Sequence, residues 1–405
     1  MSSGNPLKIV LINAYGPSII TPDILLTCSQ PPLQVFYIYA GILSHVRPHV
    51  PHSVWHTDCK RNLWECSEVI DYVKPDLIYV QDNSLFNDQL APLIRAGFHK
   101  YPFIYEPYDL LSSLYADDDF LKLDGRTVED AQFGAKIERW MLGASDGVLH
   151  MDNGPQIDQV MADTQAQHLE YHAYLPESRC HFLHRKKMGD PIHLFWAGGI
   201  APDSAQDEVR GENKLLNFFK SLINQGFAVT AYNPLAKDHD HLVEEYPQYL
   251  AYAEAQPRFR IFPCVSRESL IEILAREADF GMHLYPKPQN DEARAPMYQS
   301  SMAGKVFTYL AAGVPMLTVD FLGPISRFTK AHGTGISIGE NQFHDIGKIL
   351  AACDYAALKD RVHQVQQEMT AEANTPRFEA FLRASLKRAR DRGVTLSSNS
   401  SALIS

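Results

Sequence analysis

Short, unbroken apolar runs alternate along this chain with longer stretches in which apolar residues recur every three or four positions. In the first half the runs are "KIVLIN" (Lys8 to Asn13), "DLIYVQD" (Asp76 to Asp82), "FIYE" (Phe103 to Glu106) and "GVLHM" (Gly147 to Met151). In the second half they are "IHLFWAG" (Ile192 to Gly198), "FAVTAY" (Phe227 to Tyr232), "RFRIF" (Arg258 to Phe262), "DFGMHLY" (Asp279 to Tyr285) and "PMLTVD" (Pro315 to Asp320). Runs that are apolar throughout belong to strands covered on both faces, as in a parallel sheet wrapped by helices. Helical periodicity fills the intervals, in "PLQVFYIYAGILSHV" (Pro32 to Val46), "TVEDAQFGAKIERWML" (Thr127 to Leu142), "NKLLNFFKSLINQG" and "SRESLIEILAREA". Thr127 reads as an N-cap and Gly143 as a stop. The pattern predicts an α/β chain made of two Rossmann-like, doubly wound domains.

The polar, basic stretch "HFLHRKKMGDP" (His181 to Pro191) reads as the linker. This places an N-terminal domain at residues 1–185 and a C-terminal one at 186–374. A terminal amphipathic helix follows at 375–393, with Thr375 as N-cap and Pro376 in its first turn. Phe378, Phe381, Leu382, Leu386 and Ala389 form its apolar face; Arg377, Arg383, Lys387, Arg388, Arg390 and Arg392 line the other. The helix is expected to cross back and dock, with anionic lipid as an alternative partner for its basic face. Residues 394–405 read as a disordered tail.

Composition changes this picture little. The 405 residues are 45% hydrophobic and 21% charged, and two cores of ordinary size fit that length. A net charge of −11 argues against a nucleic-acid binder, which needs a basic face. The six cysteines show no C-x-x-C pair and read as reduced thiols. With no cleavable leader pattern and no run of the length that spans a bilayer, the expectation is a cytoplasmic protein. The inner face of the membrane is an alternative contact.

In doubly wound domains ligands gather at the carboxyl ends of the strands. Gly198 and Gly199 follow a strand directly and let a phosphate or sugar approach the backbone, or simply make a tight turn. "SSMAGKVFTYLAAGVPMLTVD" (Ser300 to Asp320) reads as small residues, a helix from Lys305 to Ala312, a stop at Gly313 and a strand. A helix entrance with a lysine favours an anion. A P-loop is excluded, because Gln299 stands at its first glycine and Val306 at its Ser/Thr. In the first domain Glu106, Tyr108 and Asp109 in "YEPYDLLSS" follow a strand; either acid is a candidate base, and Asp109 reads equally as a helix cap. Asp82 and Asn83, and Tyr15 and Gly16, end neighbouring strands. The Asp117/Asp119 pair reads as a solvated turn, and the histidines at 45, 49, 52, 56, 239 and 241 as unconnected with metal.

The segment from "RFRIFPCVSRESLIEILAREADFGMHLYP" to "TKAHGTGISI" resembles the C-terminal half of GT-B glycosyltransferases of the family-four (group 1) type. That family carries "K-[IVL]-F-E-Y-L-A-A-G-x-P-V" where this chain has "KVFTYLAAGVPML". "IERWMLGASDGVLHM", with Glu138 and Asp146, is similar to the segment closing the family's first domain. The resemblance implies two facing Rossmann-like domains and transfer of a sugar from a nucleotide-diphosphate donor to a glycan or glycolipid, without metal or other cofactor and with retention. By position it implies that Cys264 and Val265 meet the base, Lys305 and the backbone of Ser301 to Gly304 the diphosphate, and Lys214 a second phosphate. Two departures stand out. The family's paired glutamates fall on Ser300 and Thr308, and its arginine after the first strand of this domain on Gly199. Tyr108 takes the place of a histidine. These departures keep a catalytically silent partner subunit in view, beside a sugar-nucleotide epimerase on the same fold.

Overall fold

A computed structural model describes residues 6–14, 20, 22–28, 32–40, 50–59, 63–82, 90–110, 128–184, 187–202, 215–285, 295–398 and 400–401. The chain divides into two compact units, Met1–Pro176 with Thr370–Ser405, and Glu177–Met369.

The first unit holds seven parallel strands: β1 (Leu7–Asn13), β2 (Leu33–Tyr39), β3 (Trp55–Asp58), β4 (Leu77–Asp82), β5 (Phe103–Pro107), β6 (Gly147–His150) and β7 (Gln167–Glu170), in the order β3-β2-β1-β4-β5-β6-β7. The order reverses between β1 and β4, where Asn13 stands opposite Gln81. The second unit holds β8 (His193–Ala197), β9 (Ala228–Tyr232), β10 (Phe259–Phe262), β11 (Phe280–His283), β12 (Met316–Val319) and β13 (Gly335–Ile338), in the order β10-β9-β8-β11-β12-β13. Its reversal lies between β8 and β11. Both orders are doubly wound, with ligand ground expected outside the carboxyl ends at the reversal.

All of the unbroken apolar runs but the one that forms the edge strand β10 are central strands, with β4, β5, β6 and β11 buried at every position. Three buried aspartates fasten the opposite ends. Asp76 accepts the Lys8 N–H at 2.8 Å, Asp146 the Phe103 N–H at 2.9 Å, and Asp279 the His193 N–H at 2.8 Å. Each carboxylate thereby ties its own strand to the neighbouring one, satisfying a backbone donor the ladder leaves open.

Five expectations need correction, the last of them in the tail. Pro32 to Val46 is not a helix over its first half: Leu33–Tyr39 is β2, because its aromatic and β-branched residues suit a pleated surface better than their spacing suggests. Gly143 lies inside the helix Val128–Ala144, and the Thr127 cap falls outside the described residues. The stretch His181 to Pro191 is not a free linker. The His181 N–H donates to Ala311 O at 2.7 Å, and Phe182 stacks on His363 at 4.0 Å. Phe182 also lies where a side chain at Gly313 (φ +62) would point, so Gly313 serves both as the helix stop and as the seat of that ring. The terminal helix begins at Ala371, capped by Thr370, whose hydroxyl accepts the Ala373 N–H at 3.2 Å. Thr375 instead donates to Ala371 O at 2.8 Å, and Pro376 sits inside the helix.

That helix, Ala371–Asp391, belongs to the first unit and buries the expected face, with Phe378, Leu382, Leu386 and Ala389 nearly inaccessible. Gly147 permits its approach, since a Cβ there would lie 2.3 Å from Ser385 Oγ and 2.7 Å from Phe381 Cζ. Arg392 just past its end forks onto Asp146, Nε to Oδ1 at 2.6 Å and Nη2 to Oδ2 at 2.9 Å. Nη2 also donates to the carbonyls of His99 and Tyr101. The stretch expected to be disordered holds a turn in which the Ser401 N–H donates to Ser397 O at 2.9 Å, and Ser400 is buried.

Among the described residues no helix is long and apolar enough to cross a membrane.

Candidate functional site

In the second unit the reversal between β8 and β11 gathers an aromatic box around one lysine. Trp196 is the penultimate residue of β8, fully buried, and its indole Nε1–H donates to Gly198 O at 2.8 Å, which fixes the ring plane. Tyr285 lies two residues past β11 and meets Trp196 edge-on, with centroids 4.9 Å apart. Lys305, first residue of the helix Lys305–Ala311, places Nζ 3.8 Å from the Trp196 centroid and 4.8 Å from that of Tyr285. Nζ is also 2.8 Å from the Tyr285 hydroxyl. Among the described residues no carboxylate reaches it. A cation over two aromatic faces gains a part of what water would supply. Burial nevertheless brings the Lys305 pKa down from the usual 10.5 to about 7.

Two further side chains complete this end of the sheet. His283, the last residue of β11, is fully buried, and among the described residues neither ring nitrogen has a hydrogen-bond partner. Burial, and then the nearby Lys305, hold its pKa well below the ordinary imidazole value. Tyr309 sits one turn along the lysine's helix and stands edge-on to His283 at 5.6 Å. Its hydroxyl accepts the Ala197 N–H at 2.9 Å and lies 3.2 Å from the carbonyls of Phe195 and Met282. It therefore bridges β8 and β11 where they separate. Gly281 makes room for it, since a Cβ there would lie 2.4 Å from the Tyr309 ring.

Gly198 and Gly199 open the loop after β8, and a Cβ on Gly198 would lie 2.9 Å from Lys305 Nζ. Asn233 holds that loop: its Oδ1 accepts the Ile200 N–H at 3.1 Å, and Tyr246 donates to Ile200 O at 3.0 Å. Cys264 and Val265 follow β10, three strands away in the order from β11, and both are half-buried. The Cys264 N–H is spent on Ala236 O at 2.7 Å, and burial raises its thiol pKa. The entrance Ser301 to Gly304 offers less than the sequence suggested. The helix has seven residues, and the N–H groups of Val306 and Phe307 donate to Ala303 and Gly304. The anion-favouring feature is the lysine's ammonium, not a row of free amides. Ser300 is fully buried, and Thr308 Oγ1 accepts from Arg267 Nε at 3.3 Å, so a cation stands beside the position of an expected acid.

In the first unit the corresponding ground centres on Glu106, buried in β5. Its Oε2 accepts from Tyr79 Oη and Gln81 Nε2, each at 2.8 Å, and from the Ile20 N–H at 3.4 Å. Gln81 Nε2 also donates to Ile20 O, while its Oε1 accepts from Asn13 Nδ2 at 3.1 Å. Glu106 is thus a tied carboxylate that orders three strand ends. Beside it, burial and the Glu106 charge hold the Tyr79 hydroxyl pKa well above the usual phenol value. Tyr108 and Asp109, by contrast, are half-buried just past the strand, and the Tyr108 N–H donates to Asp82 O at 2.6 Å. Asp82 itself is buried at the end of β4. Tyr15, Gly16, Asn83, Lys214, Asp117, Asp119, His45 and His49 lie outside the described residues. His52, His56 and His239 are exposed, and among the described residues no group of three His, Cys, Asp or Glu side chains is placed to hold a metal ion.

Sequence reasoning reached Lys305 and Gly198 but missed Trp196, Tyr285, His283, Tyr309 and Arg267. The signal was present: "FWAGG" and "MHLYP" each end a central strand with bulky aromatic residues, where an apolar run alone would not need a tryptophan or a histidine.

No family model and no curated protein sequence matches the chain. Solved structures do. A Thermobaculum terrenum O-GlcNAc transferase mutant is similar over 97% of this chain and 70% of its own, with a TM-score of 0.52 and 13% identity. An α,α-trehalose 6-phosphate synthase from Burkholderia multivorans covers 95% and 99%, with a TM-score of 0.55 and 11% identity. A trehalose-6-phosphate structure from E. coli bound with UDP-2-fluoro glucose covers 92% and 98%, with a TM-score of 0.57 and 8% identity. At such identities the likeness speaks for the fold, which agrees with two doubly wound parallel sheets and a terminal helix returned to the first unit. The chain is therefore built on the GT-B fold found in glycosyltransferases.

Proposed function

We propose that this chain transfers a glycosyl group from a nucleotide-diphosphate sugar, with the donor's diphosphate held at Lys305. The observation that carries this reading is the lysine that, among the described residues, has no carboxylate partner and is boxed by Trp196 and Tyr285 at the strand reversal of the second unit. A desolvated ammonium without a counter-charge is costly unless an anion joins it, and a diphosphate is such an anion. As the bond from the sugar's anomeric carbon to the diphosphate breaks, negative charge grows on the leaving oxygens; an ammonium already in place lowers that barrier. Lys305 supplies charge that a metal would otherwise bring, in keeping with metal-independent transfer.

For the acceptor, a glycan or glycolipid hydroxyl, Asp109 is the better candidate base than Glu106. Asp109 is half-buried on a loop, whereas Glu106 already accepts three donors. Retention of configuration belongs to the same reading through the family resemblance. A peripheral membrane contact draws less support, because Arg377 and Arg392 of the basic set are turned onto Glu170 O and Asp146.

A second reading, the silent partner subunit, is favoured by one observation. Ser300 is enclosed and Thr308 is engaged by Arg267, so neither supplies the carboxylate that the family uses on ribose. Turnover separates the two. The purified protein is incubated with UDP-glucose, UDP-GlcNAc, GDP-mannose and ADP-glucose, with and without acceptor sugars, and free nucleoside diphosphate is measured. Release from one donor, lost in Lys305→Met, supports the transferase; binding without release supports the silent subunit.

A further inference from the structure

The box around Lys305 has an electrostatic peculiarity beyond holding an anion. Around Nζ stand the Trp196 indole from β8 and the Tyr285 phenol just past β11, with the His283 imidazole from β11 close enough to feel the lysine's charge, and Tyr309 from the lysine's own helix packs on that imidazole. Two of these groups have their charged forms suppressed by burial. Burial, and then Lys305 itself, hold the His283 pKa well below the imidazole value, and burial raises the Tyr309 pKa. Among the described residues an ammonium in such company has no carboxylate counter-charge, and a ligand anion would bring one.

Resting on the donor-site reading above, we propose that the site takes up a proton when the diphosphate arrives, with Lys305 passing from amine to ammonium as the anion settles beside it. The Tyr285 hydroxyl suits both states. It can donate to a neutral amine and accept from an ammonium across the same 2.8 Å, so the contact survives the change. The proton comes from solvent and bonds to Nζ; no other bond is made or broken. A lysine brought to about pKa 7 is divided between the two forms near neutrality, which gives the coupling its range. Without ligand, His283 is the other unfilled proton acceptor in the box, and the test must tell the two apart.

The probes are UDP-glucose, GDP-mannose and ADP-glucose, whose diphosphates are doubly esterified and so do not themselves titrate near neutrality. Each is titrated calorimetrically at pH 6, 7 and 8 in pairs of buffers with different ionisation enthalpies. For the donor that binds, affinity should fall about tenfold from pH 6 to pH 8, because the charged fraction of Lys305 scales the apparent constant. Proton uptake should climb toward about one per ligand over the same range. Lys305→Arg, charged throughout, should bind with a flat pH profile and no uptake. His283→Phe should keep the uptake. Binding by the wild type that is independent of pH and without proton exchange overturns this inference and leaves the donor site standing. Uptake that vanishes in His283→Phe assigns the proton to the imidazole and overturns the Lys305 assignment. No binding of any of the three donors at any pH overturns the donor-site reading, and the inference with it.

Discussion

Lys305 Nζ lies 3.8 Å from the centre of the Trp196 ring, and that ring is held in place by its own hydrogen bond to Gly198 O. The end of one strand thus orients the aromatic face on which the next unit of charge rests. Gly198 is part of the same arrangement. Gly198→Ala puts a methyl 2.9 Å from Nζ and crowds the ammonium out of its place, so donor affinity is expected to drop at least tenfold, on the scale of ~1.4 kcal/mol, while the fold holds. Binding calorimetry on the variant checks this, with circular dichroism as the control for folding.

Lys305 should also cost the protein stability. Its folded pKa of about 7 is below the ordinary 10.5, so the unfolded chain binds more protons between those values. The penalty is present in full below pH 7 and disappears as pH rises toward 10.5. Lys305→Met is therefore expected to stabilise the ligand-free protein by roughly 2–4 kcal/mol at pH 6, allowing for partial solvent screening, and much less near pH 10. Urea unfolding at the two pH values measures the difference. An equal effect at both would contradict a desolvated ammonium.

Tyr309→Phe removes the hydroxyl that takes the Ala197 N–H and leaves that amide buried without its partner. We expect a loss of about 1–3 kcal/mol, with weaker donor binding because β8 and β11 lose their bridge at the site. Gly281→Ala should be worse, since its methyl would meet the Tyr309 ring itself. Thermal unfolding of both variants ranks them.

Asp146 and Arg392 anchor the returning helix on the first unit through a bidentate pair around a fully buried carboxylate. Arg392→Ala strands that charge and is expected to cost about 3 kcal/mol. Proteolysis of the variant should release the segment after Thr370 sooner than in the wild type. The Asp146→Asn, Arg392→Ala double variant should recover part of the loss, because no buried charge is then left alone.

Glu106→Gln tests whether that carboxylate orders strand ends or acts in the reaction. As a tied group it accepts Tyr79, Gln81 and Ile20. The amide is expected to cost about 1–3 kcal/mol in stability and to leave any turnover within a few fold. Asp109→Asn should do the reverse, with stability nearly unchanged and transfer reduced by about a hundredfold or more. Paired melting curves and turnover assays decide between them.

The sequence carried the sheets well because burial on both faces forces unbroken apolar runs, as in β4 and β11. It carried three of the four edge strands poorly, β10 being legible. β3, β7 and β13 are four residues each and half-open, so their polar residues hide them. In β2, Val35 and Ile38 also satisfy a helical spacing, so periodicity alone does not separate strand from helix there. Lys305 was legible as a charge in a small-residue context. Its box was not, since Trp196, Tyr285 and His283 come together only when parallel strands distant in sequence end side by side. The Arg392 anchor was hidden for a similar reason: a basic helix face reads as solvated until one of its arginines finds a buried aspartate.

The measurement that tests the central claim most directly is titration of UDP, GDP, ADP and CMP into the wild type and Lys305→Met at pH 6.5. We predict micromolar to millimolar binding of one nucleoside diphosphate to the wild type and its loss in the variant, which remains folded. Equal binding to both proteins, or binding of none of the four, would contradict a diphosphate site at Lys305.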